Sequence, residues 1–530
     1  MHTHRLTLTA LALLLTGTGL CAGTAAQRAA AAPAVRDTAA IEIFTTPSRE
    51  AVPYRIPAIT TVRNGHLVAV ADYRPSRGDI GTGKLDLHAR LSKDNGRTWT
   101  NTRTIIEGDG RMGGGNFHAG FGDPAIVADR ESDRVLLLSC AGDITYQAGT
   151  ADHHQGIARF YSDDGGQTWS KPEDITESIY SQFRNSAAGA CDAMFVGSGR
   201  IFQSRTVKAG THYRLYCSVL YKDLKRTYKN YVLYSDDFGL TWQVLGGVDT
   251  PAIPRGADEP KTEELPDGSV LVSSRCGGGR HFNIFRFTDI ARAEGAWGEA
   301  ATSTAAVDGV DARDNSTNGE VLVVPVVRKA DRRRMHLLLQ SIPFGPYRAN
   351  VGICYKELAS PADYATPADL ARNWTGRMQV TDKPSAYSTM TLQWDKSIGF
   401  LYEEATHGAD YTILYRRLTV EDITNGTFTY DCRADRPRTK HGQSGKPAQA
   451  DQKGTKDYEK KMKMYRESLK AAKKTMRGKD LPKEMRRDVK RAYKEGMKTY
   501  KKGMKTYEKA LKEHKKAARQ ATGWSVGVVF

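Results

Sequence analysis

Three copies of one turn motif, set among recurrent strand-like runs, predict an all-β, six-bladed β-propeller over residues 41–432; heptads in a strongly basic tail predict an appended α-helical hairpin or coiled coil. The motif is S-x-D-x-G-x-T-W, at 92–99, 162–169 and 235–242, spaced by 70 and 73 residues. Each copy follows a short run of strand character, over 85–91, 156–161 and 230–234. It therefore reads as a hairpin turn in which the Asp carboxylate accepts turn amides, Gly supplies a positive φ and Trp packs beneath. A unit of about 60–70 residues with four short strands is one propeller blade, and the span from Ile41 to Cys432 has room for about six. Further strand-like runs at 66–71, 135–139, 269–274, 320–327, 336–340 and 411–418 fill the interval, where helical periodicity is nearly absent. In a propeller the inner strands point toward one central end, so residues far apart in sequence converge on one pocket.

The ends differ in kind. Residues 1–32 read as a secretory signal peptide: a basic start at Arg5, an apolar run over 6–20 and small residues near Ala25. The chain is therefore expected to be secreted and extracellular, with cell-surface association open. Cys21 follows Leu20 where a lipoprotein anchor wants a small residue. Beyond the leader no apolar run approaches the ~18 residues of a membrane-spanning helix. Six further cysteines are scattered with no C-x-x-C spacing, which supports no zinc site and is consistent with free thiols in strands.

Residues 433–456 read as a polar linker, 457–521 as a basic helical hairpin and 522–530 as a short apolar terminus. The hairpin carries Tyr458, Met462, Tyr465 and Leu469, a break at 477–482, then Tyr493, Met497, Tyr500, Met504, Tyr507 and Leu511. Residues 441–530 hold 27 Lys and Arg against 10 Asp and Glu, while charges over the first 440 residues nearly cancel, so the net charge of +18 belongs to the tail. Two readings stand for it: an arm that packs on itself or on a second copy, and an adhesive segment for an anionic cell surface. No base-reading motif points to a specific nucleic acid.

At the head of the first blade stands Tyr54-Arg55-Ile56-Pro57. With the three turns downstream, this resembles the bacterial exo-sialidases, retaining glycoside hydrolases with Asp-box repeats, over residues 41–432 and not over the tail. The resemblance implies three arginines for a substrate carboxylate: Arg55 in Arg-Ile-Pro, Arg275 in Ser273-Ser274-Arg275, and Arg348 before Ala349-Asn350. It implies Glu259, in Asp258-Glu259-Pro260-Lys261, as the base for a nucleophilic Tyr387, in Tyr387-Ser388-Thr389-Met390. Arg74-Pro75-Ser76-Arg77-Gly78-Asp79 matches the loop that delivers the acid/base Asp79, and Arg74 and Asp123 are expected to border the same pocket. Gly399-Phe400-Leu401-Tyr402-Glu403 follows as the family's last inner strand does.

These residue types suit one substrate class. Sialic acids carry a carboxylate on the anomeric carbon, and guanidinium groups bind carboxylates through paired, charge-assisted hydrogen bonds. A carboxylate nucleophile would be repelled there; a tyrosine is not, but its phenol titrates near ~10 and needs a base. The acid/base role of Asp79 fits a carboxyl whose affinity for the proton rises once substrate covers the loop. Asp86 is the alternative acid/base, and Glu263 or Glu264 the alternative to Glu259. The pair His153-His154 lacks a third ligand at metal-site spacing.

The resemblance thus implies removal of terminal α-linked sialic acid from glycoproteins, glycolipids or oligosaccharides through a tyrosyl-enzyme, with no metal and no cofactor. The competing readings are a sialoglycan-binding propeller without turnover, and the same site acting as a trans-sialidase or releasing an anhydro product.

Overall fold

The computed structural model describes residues 39–187, 190–314 and 317–434. The expectations for the signal peptide, Cys21, the linker beyond residue 434, the helical hairpin and the apolar terminus lie outside the described residues.

Among the described residues the strands form six sheets, one per blade, antiparallel except where Gly199–Arg200 pairs in parallel with Phe121–Ala128. Blade 1 runs from Tyr54–Thr61 through Leu67–Tyr73 and Asp86–Ser92 to Arg103–Ile106. Blade 2 centres on Phe121–Ala128, Val135–Ala141 and Gly156–Ser162, blade 3 on His212–Asp223 and Tyr228–Ser235, and blade 4 on Pro260–Glu264, Val270–Cys276 and Gly279–Asp289. Blade 5 holds Val321–Arg328, Arg334–Pro343 and Val351–Leu358. Blade 6 joins Ser385–Leu392, Ile398–Glu404 and Thr412–Leu418 to the first strand of the chain, Ile41–Phe44, with Ile41 opposite Tyr415. Backbone hydrogen bonds in that sheet close the ring.

The sequence reads as alternating strands, yet Val135–Ala141 and Gly156–Ser162 are buried throughout. The reason is that both faces of a blade meet a neighbour. Leu136 and Leu138 pack with Leu215 and Val219 of blade 3, whereas Val135 and Leu137 pack with Val68 and Val70 of blade 1. Apolar clusters of this kind fill each of the six junctions, including the one where Ile413 and Tyr415 of blade 6 meet Ile59 and Leu67 of blade 1. The core is therefore distributed between blades, each junction removing large side chains from water.

The turn motifs serve the same junctions. In the first, Asp94 accepts the Thr98 amide at 2.8 Å and the Ser92 hydroxyl at 2.9 Å; Asp164 and Asp237 bind Thr168 and Thr241 in the same way. Burial opposes ionisation of Asp94, but bonds from Thr98 and Ser92 outweigh it and hold the carboxyl down to about 2. The motif glycines sit against the preceding blade: Gly96 against Tyr415, Gly166 against Val68 and Gly239 against Leu136. Trp99 meets the Tyr415 ring edge-on at 5.2 Å.

All six described cysteines are free; Cys140, Cys191, Cys217 and Cys354 are buried strand residues.

Candidate active site

The inner strand of blade 1 touches those of blades 2 and 6, and each of the three has an irregular register at the same end: between Arg55 and Ala58, between Gly122 and Ala125, and between Ser385 and Ser388. A bulge breaks the two-residue alternation and re-aims a side chain that a regular strand would bury in a junction. Here the irregular segments carry Arg55, Asp123 and Tyr387. Ile56 and Asp123 take positive φ values of 55° and 54°, costly for a β-branched residue in particular. Each is fixed by a carboxylate: the Ile56 amide donates to Glu403 Oε1 at 2.8 Å, and the Asp123 amide to Asp72 Oδ1 at 2.9 Å.

These ends open on a cavity of about 300 Å³. Arg55, Arg74, Asp79, Asp123, Glu259, Arg275, Arg348 and Tyr387 all line it, so residues spread over more than 330 positions of the chain face one space. The alternatives face elsewhere. Asp86 accepts the Gly108 amide at 2.9 Å, Glu263 binds Arg200 and Arg205 at 2.7 and 2.8 Å, and Glu264 takes the Ser204 hydroxyl at 2.6 Å. His153 Nε2 is 2.8 Å from Asp143, outside this cavity.

Tyr387 and Glu259 are the centre of the arrangement. The phenol donates to Glu259 Oε1 at 2.6 Å. Arg275 Nη1 donates to Glu259 Oε2 at 2.8 Å and lies 3.3 Å from the phenol oxygen, while its Nε is 3.2 Å from Asp258. Burial pushes the phenol well above its ordinary value and the Glu259 charge adds to this; Arg275 and Arg348 act in the opposite sense. The Tyr387 phenol therefore stands protonated, with a carboxylate in place to receive that proton. The guanidinium carbons of Arg55 and Arg348 each lie 5.7 Å from the centre of the same ring.

Elsewhere in the lining Arg74 joins two carboxylates: Nη2 is 2.7 Å from Asp72 and 3.3 Å from Asp79. The Asp79 side chain is 66% exposed, ready to meet a ligand. Burial pushes Asp72 up to about 7 against the pull of Arg74. Burial, then the Asp79 and Asp72 charges, hold Asp123 well above the carboxylate range, and its Oδ2 is a buried atom without a partner in this structure.

Sequence reasoning missed three supports. Glu403 binds Arg55, Asp72 binds Arg74, and Lys222, fully buried, donates to the carbonyls of Tyr146, Gln147 and Gly149 at 3.1, 3.0 and 2.8 Å. Lys222 thereby holds the loop that brings Tyr146 and Gln147 to the cavity wall. The available signal for Glu403 was a pair of glutamates, Glu403 and Glu404, closing an otherwise uncharged strand.

Comparison with known proteins agrees with this picture. The BNR repeat-like domain family matches residues 86–341. A sialidase of Micromonospora viridifaciens is 29% identical over 380 residues, covering 68% of this chain and 51% of that protein. The chain spans about half the length of the curated relatives it matches. Among solved structures, the Hadza microbial sialidase Hz136 superposes with a TM-score of 0.55 at 20% identity, over 72% of this chain and 69% of that one. The intramolecular trans-sialidase from Ruminococcus gnavus gives 0.54 at 16% identity, over 72% and 98%. These two likenesses establish the fold. With the repeats, the six blades and the relatives together, the chain is similar to the bacterial sialidases that carry BNR repeats.

Proposed function

We propose that the protein is a secreted exo-α-sialidase that hydrolyses terminal α-linked sialic acid from glycoproteins, glycolipids or oligosaccharides with retention. The observation that carries this reading is the 2.6 Å hydrogen bond from the Tyr387 phenol to Glu259, in a cavity also lined by Arg55, Arg275 and Arg348. Three guanidinium groups around a small cavity suit a ligand whose carboxylate sits on the reacting carbon. Two like charges ~4 Å apart cost about 4 kcal/mol at an effective dielectric of ~20, which disfavours an anionic nucleophile beside that carboxylate. A neutral phenol avoids this cost.

The steps balance as follows. Tyr387 Oη attacks the anomeric carbon and its proton passes to Glu259, while Asp79 protonates the departing glycosidic oxygen. Water then attacks the tyrosyl-linked carbon, Asp79 takes its proton, and Glu259 returns the first proton to the phenolate. Two displacements give retention. Arg55, Arg275 and Arg348 hold the carboxylate, and Arg74 and Asp123 border the ring of the sugar. No metal or cofactor takes part.

Release of fluorescence from a 4-methylumbelliferyl α-sialoside, with Tyr387→Phe alongside, tests the reading. Turnover by the wild type and none by the variant supports it; turnover by neither contradicts it in favour of a binding propeller. Export through residues 1–32 and attachment through the basic tail belong to the same proposal. Removing residues 441–530 is expected to leave turnover of the soluble sialoside intact and to abolish salt-sensitive retention on anionic cell-wall material.

A further inference from the structure

A second cavity, of about 470 Å³, adjoins the first, and Arg55 and Arg74 line both. Its remaining polar wall is Thr46, Ser48, Arg49, Arg77 and Asp410. Arg49 Nε donates to the Gly408 carbonyl at 3.1 Å; Arg77 donates through Nη1 to the Arg49 carbonyl at 2.8 Å and through Nη2 to that of Glu50. Both guanidinium groups are thus oriented by neutral carbonyls. Neither makes an ion pair among the described residues, and each keeps N–H donors to spare. Asp410 is the one carboxylate of the wall, Glu50 lying outside it. Arg77 also takes a φ of 59°, a cost that its two carbonyl bonds help to hold in place.

Asp79 lines the first cavity, and its loop leads to the second through Arg77. Arg77 and Asp79 share one loop of two successive turns: the Arg77 amide donates to the Arg74 carbonyl at 2.9 Å, and the Thr82 amide and hydroxyl donate to the Asp79 carbonyl at 3.1 and 2.6 Å. Arg74, 3.3 Å from Asp79, forms the border between the two cavities. An oxygen protonated by Asp79 departs along this loop, so the sugar bearing that oxygen faces Arg77 and Arg49.

We infer that the second cavity is an anion subsite for the leaving group: it takes a carboxylate or a sulfate on the sugar from which the terminal residue is cut. This rests on the sialidase reading above. The substrates it favours are chains in which a second acidic sugar follows the terminal one, because paired guanidinium donors bind planar and tetrahedral oxyanions through charge-assisted hydrogen bonds.

The test compares kcat/KM for sialyllactose, the same trisaccharide sulfated on its galactose, and α2,8-disialyllactose, at two salt concentrations. The sulfated and neutral compounds share one linkage, and the sulfate and disialyl arms distinguish the two oxyanions. At ~20 mM salt at least one acidic leaving group is expected to be preferred about tenfold over the neutral one, and at ~0.5 M this shrinks to about twofold. Arg49→Gln is expected to lower the preference about threefold and the Arg49→Gln/Arg77→Gln pair to bring it to about one. Equal rates for acidic and neutral leaving groups at low salt, or a preference indifferent to both variants, would overturn the inference. No turnover of any of the three, nor of the fluorogenic sialoside, would overturn the sialidase reading and the subsite with it.

Discussion

Glu403 grips Arg55: Oε1 accepts from its Nε at 2.8 Å and Oε2 from its Nη2 at 3.3 Å, with the carboxylate wholly buried. The same carboxylate accepts the amides of Ile56 at 2.8 Å and Tyr387 at 3.1 Å. One glutamate of the last blade therefore sets the first arginine, the left-handed residue after it and the strand that carries the phenol. A guanidinium held this way meets a ligand already oriented, which saves the entropy of ordering a long side chain on binding.

Replacing Glu403 with Gln removes the charge opposite Arg55 and turns an amide nitrogen toward two of the four donors. Leaving a buried partner uncompensated costs about 3–5 kcal/mol of stability. The expected kinetic outcome is a KM raised tenfold or more with a smaller fall in kcat, read with the fluorogenic sialoside; an unchanged KM would count against Glu403 as the positioning residue.

Asp72 sets a pH dependence. Its folded carboxyl titrates at about 7 because it is buried, against an ordinary value of 3.8. Between these values the native protein holds a proton that the unfolded chain has lost, so stability from this group is greatest below pH ~4 and is lost as pH rises through about 7. Thermal melts between pH 5 and 8 are expected to show wild type losing several degrees relative to Asp72→Asn as pH increases. A difference between the two that does not vary with pH would contradict the assignment.

Gly239 reports on the blade junctions. Its φ is 81°, and an added Cβ would lie 2.4 Å from Leu136 Cδ2 in the preceding blade. Gly239→Ala is expected to cost about 1–3 kcal/mol in denaturant unfolding. Because this turn is remote from the cavity lining, kcat at 25 °C should stay within twofold.

Lys222 is held by three carbonyls, and burial pushes its amine below the usual lysine range. Lys222→Met keeps much of the volume and removes all three bonds. The loop carrying Tyr146 and Gln147 should then open to proteolysis more readily and KM should rise several-fold, while Lys222→Arg restores part of both.

How far the sequence reaches is clear from individual residues. The three turns were legible because Asp, Gly, Thr and Trp each have a local job, and Asp94, Gly96, Thr98 and Trp99 perform those jobs within one hairpin. Blades 4 to 6 have no such turn in the motif, so their strands were visible only as apolar runs. Arg55 and Tyr387 were legible through their immediate neighbours in the chain. Glu403 was not, since its partner Arg55 is 348 positions away and meets it only when Ile41–Phe44 pairs with Thr412–Leu418 to close the ring. The choice between Asp79 and Asp86 is likewise spatial: the loop turns Asp79 toward the cavity and the strand turns Asp86 toward the Gly108 amide.

The most direct test of the tyrosyl mechanism is to trap the covalent state. A 2,3-difluorosialic acid slows breakdown of the glycosyl-enzyme, and peptide mass spectrometry locates the attached sugar. The expected result is one fluorosialosyl group on Tyr387, absent from Tyr387→Phe, with activity lost in proportion to labelling. Labelling of Glu259 or Asp79 instead, or wild-type turnover by Tyr387→Phe, would contradict the account.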